Sequence, residues 1–414
     1  MNRNLITLVT LALIAFSAPS LMALNHRVVT ADDIPIGDPI LMAGEDGSHM
    51  YTVTGHYDSP GFGFALHVST DSGWTWTETY HNYQGQGPTG FRWDAVLDSS
   101  GVYIARIDNW SEGGSATYYE LTIQHFDIEG VRDTSFGGNG TVSVSGQTTS
   151  TLGDVSLIAN AGYMEVFWIK DNLLRHSYFS ISGGSTTPID SGIPAITATG
   201  SLDSTIMSGD TTDLFAAFKN GSGELTGWSW EYGVGWGLID ITPDEDLYPE
   251  WEAVTVSSYG NRVEVVVASP YDSNPTEIHE LWSDDDTLTW NQEVLGLGWD
   301  GVGIHVYDPT VVIGPDQTVV TFMVKDDTLS TEEWGWVERQ HGENWSPSPM
   351  LFTPSTNYIG ATMGMAWTPE GGFMTSYWSK NPIPNLLYFV KMPQVMRTGF
   401  EDGDFDEWSE VVGN

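Results

Sequence analysis

Seven short runs of β-branched and aromatic residues recur along the chain: MYTV from Met50, VYIA from Val102, MEVFW from Met164, LFAAF from Leu214, VEVVV from Val263, TVVTF from Thr318 and FMTSY from Phe373. They stand about fifty to sixty residues apart, a period that admits only a few repeat architectures. Each is preceded, across a turn such as EDGS, DSSG, ANAG or SYGN, by another strand-like run and followed by a third. The third runs, among them FALHVS, RHSYFSI and EWGWVE, lead into a hairpin and a weaker fourth strand. No helical period interrupts them.

Four antiparallel strands repeated seven times predict an all-β fold, a β-propeller of seven four-stranded blades, with a six-bladed count as the alternative. Radial repetition hides both faces of each small sheet against its neighbours and leaves only short edges. The expected division is a secretory signal peptide over 1–23, the propeller over 24–394 and an acidic tail over 395–414. The leader reading rests on Arg3, the apolar run from Leu5 to Phe16 and the small residues that follow.

With no cysteine, the chain has no disulfide and no thiolate zinc site. Fourteen Lys and Arg stand against 55 Asp and Glu, a formal charge of −41. That balance excludes nucleic acid and anionic membrane surfaces as partners. It suits solubility at high salt or binding of divalent cations by surface carboxylates. The expectation is a secreted or periplasmic monomer with an extracellular glycan or protein ligand.

STDSGWTW, Ser69 to Trp76, falls on the hairpin between the third and fourth strands of the first blade. Asp71 can accept backbone N–H groups of the turn, Gly73 can adopt positive φ, and Trp76 can bury its ring between blades while Ser69 and Thr75 complete the turn. A partial copy, SDDDTLTW, occupies the same place in the fifth blade, with Ser283, Asp285, Thr289 and Trp290 retained and Thr287 where glycine is expected. Fainter echoes end at Trp236 and Trp345. In these residues the chain resembles the Asp-box (BNR-repeat) propellers of the sialidase-like superfamily, a likeness that implies the fold and a structural turn but no particular activity. RDTSFGGNGTV, from Arg132, resembles the delta-sixty repeat and reads as a second hairpin staple. GFEDGDFDEW near the end resembles an element of secreted bacterial proteins.

An active sialidase needs an arginine triad opened by an (F/Y)RIP motif, which is missing here; only Arg92, Arg106 and Arg175 fall near the expected ligand face. At that face the inner strands open with a carboxylate in six blades: Asp38, Asp94, Asp154, Asp203, Glu252 and Asp308. Lys170, Lys219 and Lys325 follow three of them by 16, 16 and 17 residues, a spacing read as intrablade ion pairs (Asp154–Lys170, Asp203–Lys219 and Asp308–Lys325). The alternative is a mixed-charge ring gripping a polar ligand. Asp38, Asp94 and Glu252 remain as candidate catalytic carboxylates for glycoside cleavage, as Ca²⁺ ligands, or as caps of strand starts. No other cofactor or metal is expected. Tyr57, Arg92, Trp93, Trp110, Trp251, Tyr271 and Trp299 are the candidate ligand-binding residues, since loop aromatics beside carboxylates can stack on sugar rings and bond hydroxyls. Two functions are therefore carried forward, a glycan- or protein-binding propeller and a glycoside hydrolase.

Overall fold

The computed structural model describes residues 26–30, 34–58, 61–83, 92–111, 116–182, 185–207, 213–231, 234–239, 241, 253–269, 277–295, 304–326, 331–345, 350–352, 359–368, 373–379 and 386–391. The expected leader and tail lie outside them. The described strands form seven four-stranded antiparallel sheets, each in chain order from inner to outer strand except the last. The inner strands are Ile34–Ala43, Arg92–Asp98, Leu152–Asn160, Ala198–Met207, Val254–Tyr259, Ile304–Ile313 and Ile359–Trp367. Each packs against the inner strand of the next blade, and Ile34–Ala43 meets Ile359–Trp367 to close the ring. The fold is a β-propeller.

The seventh blade takes its outer strand from the other end of the chain. His26–Thr30 pairs antiparallel with Leu386–Lys391, so the two termini share one sheet and the ring is fastened by main-chain hydrogen bonds. Close approach dictates sequence at the seam. A Cβ on Gly364 would lie 2.5 Å from the Pro39 carbonyl oxygen, so only glycine lets the two inner strands meet.

The core is a series of apolar layers between blades. Val102 and Ile104 of the second blade pack with Val53, Phe64 and Leu66 of the first. Phe167 and Leu174 of the third pack with Leu214, Phe218 and Trp228 of the fourth. Val266 and Ile278 of the fifth pack with Val320, Phe322 and Val337 of the sixth. The alternating run of each second strand is what fills two such layers at once. Burying each such side chain contributes about 1.5–3 kcal/mol, so the ring is held by side chains between sheets, with main-chain pairing inside them. Among the described residues no helix is long and apolar enough to cross a membrane.

The two tryptophan hairpins have the same hydrogen bonds. Asp71 Oδ1 and Oδ2 accept the Thr75 N–H and hydroxyl at 2.8 and 2.7 Å, and Gly73 N–H reaches Ser69 Oγ at 2.9 Å. Asp285 accepts from Thr289 at the same two distances, and Thr287 N–H reaches Ser283 Oγ at 2.9 Å. Thr287 adopts φ 70° to do so, close to the 85° of Gly73, a conformation that costs a β-branched residue about 1–2 kcal/mol. Trp76 packs against the layer shared with the seventh blade, and Trp290 lies 5.4 Å from the Phe215 ring of the fourth. In the second blade Arg132 donates to the Gly140 carbonyl and Thr141 hydroxyl while Phe136 is buried, bracing the glycine-rich hairpin.

Candidate functional site

The inner-strand carboxylates tie neighbouring blades together. Asp94 Oδ2 accepts the Leu157 N–H of the third blade at 2.6 Å and Oδ1 accepts its neighbour Ala95 N–H at 2.8 Å. Asp154 takes the Leu202 N–H of the fourth blade at 3.0 Å, and Asp203 takes the Val256 N–H of the fifth at 2.7 Å. Ser156 bridges to Ser204 at 2.7 Å and Thr205 to Ser258 at 2.8 Å. These bonds run as an arc from the second blade to the fifth.

The expected intrablade ion pair at Asp154 is corrected by this arrangement. A β-bulge between Leu152 and Val155 sets Lys170 across from Leu152, and Asp154 turns to the next blade. Irregularities at Gly200/Leu202 and Tyr307/Thr310 likewise set Lys219 opposite Gly200 and Lys325 opposite His305, so neither lysine faces its aspartate across the ladder. Asp308 sits in the second of these with φ 50°. Arg106 is buried and pairs with Asp108 at 2.6 Å, leaving Asp94 to the backbone.

Enclosure raises the carboxyl pKa values here. Burial, helped by the charge of Asp203, pushes Asp94 up to about 7, and burial pushes Asp203 up to about 6. Asp154 is raised by burial too, opposed by the Leu202 N–H and by the charge of Arg92. A channel cavity of about 270 Å³ touches Asp203 and Asp308 among Pro39, Leu202, Val254 and Thr310. Among the described residues no group of three or more His, Asp or Glu is arranged to hold a metal ion.

Of the expected ligand-binding aromatics, Trp93 is half-buried against the layer between the first two blades. Trp110 is half-buried and stacks on Tyr118 across its ladder, ring centres 6.1 Å apart. Arg92 is exposed beside them. Trp251, Glu252, Tyr271 and Trp299 lie outside the described residues, as do the side chains of Asp38, Tyr57 and Lys325.

A second site lies at the opposite ends of the strands, between the third and fourth blades. It is a cleft of about 460 Å³ bounded by the Ala161 turn and by the Asp190–Ser191 and Trp236 segments. Tyr163 and Glu165 come from the second strand of the third blade, His176 and Tyr178 from its third strand, and Trp230 and Trp236 from the outer strands of the fourth. Strand alternation points Tyr163 and Glu165 to one face, and the antiparallel register sets Tyr163 opposite Ser180 and Glu165 opposite Tyr178.

His176 forms the floor. It is 2% exposed, its Nε2 lies 3.0 Å from Glu165 Oε2, and Trp236 meets its ring edge-on at 4.8 Å. Its Nδ1 is buried without a hydrogen-bond partner. Nε2, although close to Glu165, is likewise buried without a hydrogen bond. Asp190, exposed at the rim, spends Oδ1 on the Gly192 N–H and keeps Oδ2 for solvent or ligand. Broad aromatic faces beside carboxylates give the cleft the means to stack a flat apolar surface while accepting hydrogen bonds from its edge.

None of these six cleft residues stands among the expected site residues, which lie on the face carrying the inner-strand carboxylates. The sequence did carry a trace: Glu165 and Glu264 hold the same position of their second strands, a polar residue set inside an otherwise apolar run.

No family model matches the sequence, and no curated protein matches it. Among solved structures, the chain is similar to the BP39L lectin of Burkholderia pseudomallei at 14% identity and a TM-score of 0.57, over 88% of this chain and 96% of that one. It is also similar to the α-L-arabinanase of Penicillium chrysogenum at 12% identity and a TM-score of 0.48, over 88% and 96%. The Aleuria aurantia lectin follows at 11% identity and 0.46, over 78% and 96%. At these identities the likeness is one of fold.

Proposed function

We propose that the protein is a secreted carbohydrate-binding propeller that holds its ligand in the cleft between the third and fourth blades. The observation that carries this reading is the convergence of Tyr163, Tyr178, Trp230 and Trp236 with Glu165 and Asp190 around a cavity large enough for a sugar residue. Tyrosine and tryptophan faces match the C–H face of a pyranose, and carboxylates accept its hydroxyls. The fold likeness to a propeller lectin is compatible with it. Export rests on residues 1–23, and membership of the Asp-box group on the shared hydrogen bonds of Ser69–Trp76 and Ser283–Trp290.

Asp94 supports a second reading. A carboxyl raised to about 7 is poised as a general acid, which fits glycoside hydrolysis in the channel. Against it, both Asp94 oxygens already accept backbone N–H groups.

One experiment separates the two. Purified protein is passed over immobilised oligosaccharides, and the same sugars are analysed for release of fragments. Retention abolished in Trp236→Ala and kept in Asp94→Asn supports binding in the cleft. Release of fragments that stops in Asp94→Asn overturns it in favour of hydrolysis.

A further inference from the structure

The junction between the fifth and sixth blades repeats the cleft position by position. Arg262 follows the turn as Tyr163 does, Glu264 faces Trp282 as Glu165 faces Tyr178, and Glu280 lies across from Val266 as His176 lies across from Phe167. In the following blade, Arg339 and Trp345 stand where Trp230 and Trp236 stand, the first just before the end of the third strand and the second five residues past that end.

At that junction the place is filled from within the chain. The Arg339 guanidinium lies 4.7 Å from the Trp282 ring centre and 4.8 Å from that of Trp345. It bonds Glu264 at 3.2 Å and also contacts Glu280, whose other oxygen accepts the Trp345 indole N–H at 3.0 Å. A cation between two aromatic faces and two carboxylates is thus what this frame accommodates when occupied.

Between the third and fourth blades the aromatic faces and one carboxylate remain, and the arginine is gone. The carboxylates lining the cleft are Glu165 and Asp190, the latter with Oδ2 uncommitted. We infer that the cleft selects a sugar bearing a protonated primary amine, a glucosamine-type residue whose ammonium meets a carboxylate and aromatic faces as the Arg339 guanidinium meets Glu264, Trp282 and Trp345 in the other junction. This rests on the carbohydrate reading above and narrows it. An ammonium supplies three donors to the two carboxylates and is attracted by ring faces. An N-acetyl group supplies one donor and no charge, and an anionic sugar is repelled.

The test is a titration of tryptophan fluorescence, reported by Trp230 and Trp236, with three monovalent ligands at pH 6: methyl glucosaminide, methyl N-acetylglucosaminide and methyl glucoside. Single sugars avoid the unspecific attraction of a polycation to so acidic a protein. The expected result is about tenfold tighter binding of the amine than of either neutral sugar. In the double variant Glu165→Gln, Asp190→Asn the preference of amine over glucoside falls to about twofold; Glu129→Gln, on an exposed turn of the second blade, leaves the preference intact. Equal affinity for the glucoside, or a preference that survives the double variant, overturns the inference and leaves the carbohydrate reading standing. Failure of all three sugars to bind overturns both.

Discussion

The junction of the third and fourth blades and that of the fifth and sixth use one backbone frame for opposite ends. In the latter, Glu264 and Glu280 are fully buried and their charge is answered by Arg262 and Arg339. In the former, the ion-pairing partner of Glu165 among the described residues is a histidine, and a cavity opens beside it, lined by Trp230 and Trp236. A few exchanges in the repeat, Tyr163 for Arg262, His176 for Glu280 and Trp230 for Arg339, separate a sealed, ion-paired junction from an accessible cleft. The lesson is that in a propeller the same buried acceptors serve stability or binding according to whether the chain supplies their partner.

The largest effect is expected from emptying the sealed junction. Arg339→Ala takes the guanidinium away from the buried Glu264 and Glu280 side chains and should cost about 3–5 kcal/mol, read as a fall in the urea midpoint. Retention of wild-type stability would mean that the network contributes nothing and the comparison fails.

Next in size is a pH effect in which the same junction takes part. Burial, reinforced by the charge of Glu264, pushes Glu280 up to about 8, well above an ordinary carboxyl. Across pH 5–8 the folded protein therefore holds a proton that the unfolded chain has released, and stability declines as pH rises through that window. Asp94 and Asp203, at about 7 and 6, act with the same sign in the channel. Glu280→Gln should flatten the slope of Tm between pH 5 and 8, and Asp94→Asn should flatten it over the part of that window below pH 7.

The converse exchange sharpens the contrast. Trp230→Arg gives the open cleft its own cation and should reduce sugar binding more than tenfold, with stability within about 1 kcal/mol of wild type. The smallest change is Tyr163→Ala at the exposed rim. It should weaken binding about threefold to tenfold by titration and move stability by less than about 0.5 kcal/mol.

How much of this was legible depended on whether the signal was local. Strand periodicity is written in the alternation of runs such as VEVVV, and the hairpins at Ser69–Trp76 and Ser283–Trp290 satisfy their bonds within eight residues, so both could be read directly. The lysine spacing misled because it presumed an unbroken ladder. A bulge adds residues to one strand only, and at Leu152/Val155 that turns Asp154 from Lys170 toward the next blade. The closing strand His26–Thr30 left no trace in the repeat, since its partner Leu386–Lys391 is at the other end of the chain.

By itself, then, the sequence determined the repeat, the strands and the hairpin chemistry, because those depend on side chains a few residues apart and on the two-residue alternation of a pleated strand. Tertiary structure decided which carboxylates tie blades together, which are sealed by arginine and which open into a cleft. Those outcomes turn on the register between sheets and on pairs such as Glu264 with Arg339 or His176 with Trp236, brought together across blade boundaries where no sequence period records the distance.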